Sequence, residues 1–170
     1  MSVKNKKIFA ICWGLQVAVT VAGGQVKKSD KGAHRGIAHN IKVNKIGSNH
    51  KIYLNKKRQF NSPAFNFDEV VKIPEGAILL SSNELNNVMG LNFKTNTSDI
   101  WGIQYHPEIT YEKMVSLIHF RKERLLNKGA FKNQHEINNH ILMIENEIKN
   151  TEKISRMKEL ENWINYLYEN

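Results

Sequence analysis

An α/β fold is predicted by three features of the sequence. A short apolar run, Ile8 to Cys12, leads directly into a segment of helix length, Gly14 to Ala22, which Gly23 and Gly24 close. Short apolar runs separated by polar or glycine-containing turns continue up to Pro107, and helical spacing takes over after it. The 170 residues, 41% of them hydrophobic, suffice for one domain with a sizeable core.

Taken in order, Ile8 to Cys12 has no turn residue inside it and reads as a buried parallel strand, so the chain begins strand, tight turn, helix. From Gln25 to Leu54 the pattern alternates in places ("GIAHNIKVNKI") and is broken by Gly32, Gly36 and Gly47, which predicts antiparallel strands or hairpins. Pro74 to Gly76 makes a turn before a strand at Ala77 to Leu80, and "NVMGLNF" and "IWGIQY" are two more strands around the polar turn "KTNTSD". Tyr111 to Leu126 has helical spacing through Met114, Leu117, Ile118 and Leu125. Two amphipathic helices follow, His135 to Lys149 and Lys153 to Tyr168. Their expected buried stripes are Ile137, Ile141, Ile144 and Ile148 in the first, and Ile154, Met157, Leu160, Ile164 and Leu167 in the second.

Charge and cysteine content narrow the function classes. Lys plus Arg number 25 against 16 Asp plus Glu, a net charge of +9. The basic runs Lys4 to Lys7 and Lys56 to Arg58 are short and lack interleaved aromatics that could stack on bases, so neither nucleic acid nor a membrane is expected as a partner. A single cysteine forms no internal disulfide, and no apolar run is long enough to span a bilayer, which points to the cytoplasm.

That cysteine sits on the turn between a strand and a helix. Unpaired amides and the helix dipole there favour the thiolate, and the small residues Ala10 and Gly14 permit the strained turn of a nucleophile elbow. A free cysteine can equally be a packed core residue. A nucleophilic thiol needs a base and the base an orienting group; His106 follows the last strand directly, with Glu108 close by across Pro107. The two histidines of "HEINNH" are five apart and diverge by about 140° on a helix, so zinc is not expected. His34, His39 and His50 read as solvated.

Together, "AICWGLQ" at residues 10 to 16, Gly23 and Gly24 after the elbow helix, and "WGIQYHPE" at residues 101 to 108 resemble the class I glutamine amidotransferases. Their elbow reads G-x-C-x-G-x-Q, and their base and its orienter lie in a later H-P-E. Asp68 and Val70 also keep their places in the family's H-x-D-x-V stretch. The resemblance implies a flavodoxin-like sheet with a helical C-terminal extension, divided as an amidotransferase domain over residues 1–126 and the extension over 127–170. It implies a Cys12–His106–Glu108 triad that hydrolyses the glutamine carboxamide without a metal or cofactor. Trp13 would supply an oxyanion amide, Gln16 would help hold the glutamine, and Asp68 would lie near the site entrance. Ammonia would pass to an acceptor domain or a partner synthetase.

Three departures qualify this. Ala10 replaces a glycine, Asn66 stands where many members carry a histidine, and eleven residues precede the cysteine where the family places several strands and helices. The sheet is therefore expected to be incomplete at its N-terminal side, with bare apolar edges that a second polypeptide would cover. Two alternatives stay open: a related cysteine hydrolase of γ-glutamyl bonds, and a catalytically inactive binding module.

Overall fold

The short apolar runs do form strands, but they build a mixed sheet. The computed structural model describes residues 6–151 and 153–169, so the start of the basic run Lys4 to Lys7 lies outside the described residues. Strands β1 (Lys6–Ile11), β3 (His34–Val43), β4 (Gln59–Asn66), β6 (Ile78–Ser82), β7 (Gly90–Lys94) and β8 (Ser98–Ile103) join in the order β1-β8-β7-β6-β3-β4. Only β1 and β8 run parallel; the other pairs are antiparallel. Strands β2 (Gln25–Lys28) and β5 (Asp68–Lys72) form a separate antiparallel pair.

Several expectations need correction. β1 is parallel, but as an end strand it is not a buried one: only Ala10 is buried along it. The antiparallel strands expected from Gln25 to Leu54 are present, but they pair with later strands and not with each other, β2 with β5 and β3 with β4 and β6, and the segment ends in two 3-10 turns. β4 contains Pro63, which a strand tolerates here because β4 lies at the other end of the sheet. The helix expected from Tyr111 to Leu126 breaks at Arg121 into α2 (Tyr111–Phe120) and α3 (Lys122–Asn127). α4 (Gln134–Asn150) is close to its expected span, whereas the last helix divides into α5 (Lys153–Arg156) and α6 (Lys158–Tyr168).

The alternation of β8 assigns the two faces of the sheet. Ile100 and Gly102 turn toward α1 (Trp13–Val21), whose Leu15 and Val19 are fully buried against Leu91, Phe93 and Ile100. Trp101 and Ile103 turn the other way, where Trp163 and Tyr166 of α6 close the core; the Tyr166 ring stacks on Trp101 at 4.3 Å. A third cluster joins Ile37 of β3 to Ile118 of α2 and to Ile137, Ile141 and Ile144 of α4.

Of the apolar stripe expected for the last helix, Ile154, Ile164 and Leu167 are exposed and Met157 and Leu160 half-buried, and the buried face carries Glu159 and Asn162. Asn162 Nδ2 donates to the carbonyls of Ile52 and Leu54, each at 2.9 Å, and Glu159 pairs with Lys56 at 2.8 Å. Lys56 is therefore no part of a basic surface run. A polar face can be buried because each polar group finds a partner.

Gly36 makes the close approach of β3 to the helices achievable. Its φ is +106°, and an added Cβ would lie 2.7 Å from Ile144 Cδ1 and 3.0 Å from Ile118 Cδ1. Gly36→Ala combines backbone strain with overpacking and is expected to lower stability by about 1–3 kcal/mol in urea denaturation.

Candidate functional site

The site grows from the parallel pairing of β1 and β8. Ile11 lies opposite Ile103, and the Cys12 amide extends the ladder by donating to the Ile103 carbonyl at 2.7 Å. The residues following both strands therefore emerge side by side. Cys12 then turns the chain sharply into α1 with φ +52° and ψ −108°, a conformation that few non-glycine residues adopt and that requires support from the surroundings. Part of that support is Gly102: a Cβ there would lie 2.4 Å from Leu15 Cδ1, so the glycine lets α1 settle against β8.

Cys12 is buried, not exposed at the sheet edge as its turn position suggests. Its Sγ accepts a hydrogen bond from Gln104 Nε2 at 3.4 Å, and Gln104 Oε1 accepts from Gln16 Nε2 at 3.1 Å. Gln16 Nε2 also lies 3.1 Å from the Asp68 carbonyl oxygen, tying α1 to the start of β5. His106 Nδ1 and Glu108 Oε1 are 2.6 Å apart, and the His106 amide donates to the Pro63 carbonyl at 2.7 Å.

Burial by itself would lower the His106 pKa. The neighbouring Cys12 sulfur and the Glu108 carboxylate more than reverse this, and the pKa is pushed up to about 9. The ring is thus protonated at neutral pH and presents a proton beside the sulfur. Trp13 and Gly14 begin α1, whose first-turn amides have no partners within the helix and point toward the cysteine's side of the turn.

Cys12, Trp13, Gln16 and Asp68 line one cavity of about 670 Å³, together with Phe65, Asn66 and the cationic Lys28, Arg121, Arg124 and Lys128. His106 and Glu108 are not among the residues that line it. Trp13 keeps its indole largely exposed at the rim. Among the described residues, no group of three or more His, Cys, Asp and Glu side chains is arranged to hold a metal ion.

Sequence reasoning missed Gln104. The signal was its position, because Gly102, Gln104 and His106 alternate onto one side of the chain leaving β8. His34 was misread as solvated: it is fully enclosed, with Nδ1 2.8 Å from Asn66 Oδ1 and Nε2 2.9 Å from Asn83 Nδ2. Asn66 also donates to the Asp68 carbonyl at 2.9 Å and to Asn86 at 3.0 Å, so it braces the cavity wall of which it is part. His50 is half-buried, edge-on to Trp101, and only His39 of the three is exposed.

Comparison with known proteins identifies the family and the fold. The family model described as Glutamine amidotransferase class-I matches residues 1–124. A γ-glutamyl-L-1-hydroxyisopropylamide hydrolase of Pseudomonas sp is 30% identical over 137 residues, 79% of this chain and 45% of the relative. A glutamine-hydrolyzing GMP synthase subunit of Methanocaldococcus jannaschii is 32% identical over 104 residues, 61% of this chain and 52% of the relative. The chain thus spans about half the length of these curated relatives. In structure, a glutamine amidotransferase of Thermotoga maritima superposes with a TM-score of 0.68 at 18% identity, covering 95% of this chain and 62% of that one. The superposed part includes C-terminal helices, and no helix among the described residues is long and apolar enough to cross a membrane.

Because the His106 pKa is raised in the folded chain, its interactions stabilise the fold fully below the ordinary value of 6.5 and cease to do so as pH rises through about 9. Glu108→Gln is expected to move the His106 NMR titration midpoint downward and to destabilise the protein more at pH 6 than at pH 10. An unchanged midpoint would mean that the carboxylate does not hold the imidazolium.

Proposed function

The chain belongs to the class I glutamine amidotransferase family, and from that membership we propose that it hydrolyses the side-chain amide of glutamine with Cys12 as nucleophile, His106 as acid and base, and Glu108 as the group that orients the ring. The observation that most supports this is the conformation of Cys12. A φ of +52° at a strand-to-helix turn holds the sulfur beside the first-turn amides and beside His106 and Gln104, and strain of this kind persists only where the surroundings enforce it.

In this reading the Cys12 thiolate attacks the amide carbon, and the oxygen takes up the negative charge. The Trp13 amide donates to that oxygen, the role in which one donor is typically worth about 100-fold to 1000-fold in turnover. The C–N bond breaks as His106 gives its proton to the nitrogen, releasing ammonia and leaving a glutamyl thioester. Water attacks the thioester with His106 now taking a proton, and glutamate leaves with the thiolate restored. Gln16 and Asp68 face the amino-acid end of the substrate, and the Arg121, Arg124 and Lys128 cations suit its α-carboxylate. Gln104 keeps the sulfur aimed, and a reactive free thiol suits a cytoplasmic setting.

Ammonia released here calls for an acceptor, and a synthetase partner is the proposed recipient, in keeping with the relatives that are subunits of GMP synthases. A second polypeptide is proposed at the other side of α1. Among the described residues β1 ends the sheet with one hydrogen-bonding edge unpaired, and Ile8, Trp13, Val17 and Val21 leave exposed apolar surface beside it. Hydrolysis of a substituted γ-glutamyl amide is the second reading. It is favoured by the Pseudomonas relative and by a cavity roomy enough for a group on the amide nitrogen.

Cys12→Ala is expected to abolish glutamate release from glutamine, whereas Glu108→Gln retains a remnant. Iodoacetamide is expected to label native Cys12 faster than an ordinary free thiol at neutral pH. Equal turnover in the wild type and Cys12→Ala, or labelling that begins only in denaturant, would refute the assignment.

A further inference from the structure

The segment Arg156–Glu159 grips the chain on either side of both His106 and Glu108. Buried Arg156 donates from Nη1 to the carbonyl of Pro107 and, at 2.9 Å, to that of Ile109, so its two acceptors bracket Glu108. Fully buried Glu159 accepts from the Tyr105 hydroxyl at 2.6 Å, one residue before His106. The grip is itself anchored, because Lys56 Nζ donates to Glu159 Oε2 at 2.8 Å and to the carbonyls of Ser155 at 2.8 Å and Arg156 at 3.4 Å. Tyr105 is braced further by Tyr53, whose hydroxyl lies 3.2 Å away and is held in turn by Ser81 at 2.7 Å.

Such an arrangement exceeds what docking a helix requires. Trp163, Tyr166 and Asn162 already fasten α6 to the sheet and to the 3-10 turn. Burying a guanidinium and a Lys–Glu pair incurs a desolvation penalty that packing alone does not need. Both polar groups are spent on the backbone and side chain adjoining His106 and Glu108.

We propose that Arg156 and Glu159 are positioning residues for the reaction: through the Pro107 and Ile109 carbonyls and the Tyr105 hydroxyl they fix the loop that carries His106 and Glu108. The proposal rests on the reading of those two residues as the proton-transfer pair. It makes the C-terminal helices part of the catalytic device and not merely a cover over the sheet. Arg156 Nη1 donates to both carbonyls from one planar guanidinium, which fixes the backbone on each side of Glu108. Tyr105 keeps its proton, since burial and the Glu159 charge raise its pKa well above the usual value. The hydrogen bond to Glu159 therefore persists across the working pH range.

The test compares Arg156→Ala, Arg156→Lys and Tyr105→Phe with Asn162→Ala, which loosens α6, the helix that carries Glu159, at its contact with the 3-10 turn. The expected result is that Arg156→Ala lowers kcat for glutamine hydrolysis by about 10-fold to 100-fold with little change in KM. Its His106 NMR titration midpoint should move down toward 6.5, the ordinary value. Arg156→Lys should recover part of both losses, and Tyr105→Phe should shift them in the same direction. Asn162→Ala should lower thermal stability and leave the His106 midpoint unmoved. The proposal is overturned if the folded Arg156 and Tyr105 variants keep the wild-type midpoint, or if Asn162→Ala moves it equally. Should Arg156→Ala not fold, Arg156→Lys and Tyr105→Phe decide by the same midpoint. The titration needs no substrate, so absent glutamine turnover in the wild type would count against the hydrolase reading alone.

Discussion

The parallel pairing of β1 with β8, carried one residue past both strands by the bond from the Cys12 amide to the Ile103 carbonyl, is the constraint from which the candidate site follows. In a parallel pair both chains leave the sheet at the same end, so the turn after β1 and the loop after β8 have to share one small region. Cys12 comes from the first and Gln104, His106 and Glu108 from the second, although more than ninety residues separate them in sequence. Antiparallel pairing in that register would send the two loops to opposite ends. The unusual backbone at Cys12 is a consequence: the chain has to leave the sheet and enter α1 within one residue, and Leu15 against Gly102 sets where that helix can lie.

Electrostatics at this corner work in one direction. Burial opposes a charged His106, yet the adjoining sulfur and carboxylate favour its protonated form. The cavity that Cys12 lines is cationic, with Lys28, Arg121, Arg124 and Lys128 in its walls against Asp68. Cys12 thus neighbours His106 and also lines an anion-attracting cleft. This arrangement fits the proposed reaction, in which the cleft holds the glutamyl part and the histidine serves the nitrogen.

Legibility in the sequence followed the range of the interactions. The elbow was readable because its strand, cysteine and helix are consecutive, and His106 was readable as the residue leaving the last apolar run. The mixed sheet was harder: β4 was obscured by Pro63, which only an end strand accommodates, and the antiparallel partners of β2 and β3 lie far along the chain. α6 shows the limit of hydrophobic periodicity. Its aliphatic residues Ile164 and Leu167 are exposed, and it buries Glu159 and Asn162 because Lys56, Tyr105 and two backbone carbonyls meet them. Those partners are about fifty to one hundred residues away, so nothing local marks the polar face as the inner one. His34 was misjudged for the same reason, its partners Asn66 and Asn83 being brought in by other strands and loops.

The central claim is that Cys12 forms a covalent bond to the glutamyl carbonyl, and the most direct measurement is mass spectrometry of protein quenched in acid during incubation with glutamine. The expected result is a mass increment of one glutamyl group, confined on digestion to the peptide containing Cys12, together with a rising signal for free glutamate. Glutamate accumulating with no adduct, an adduct on a different residue, or neither product nor adduct from well-folded protein would contradict the account.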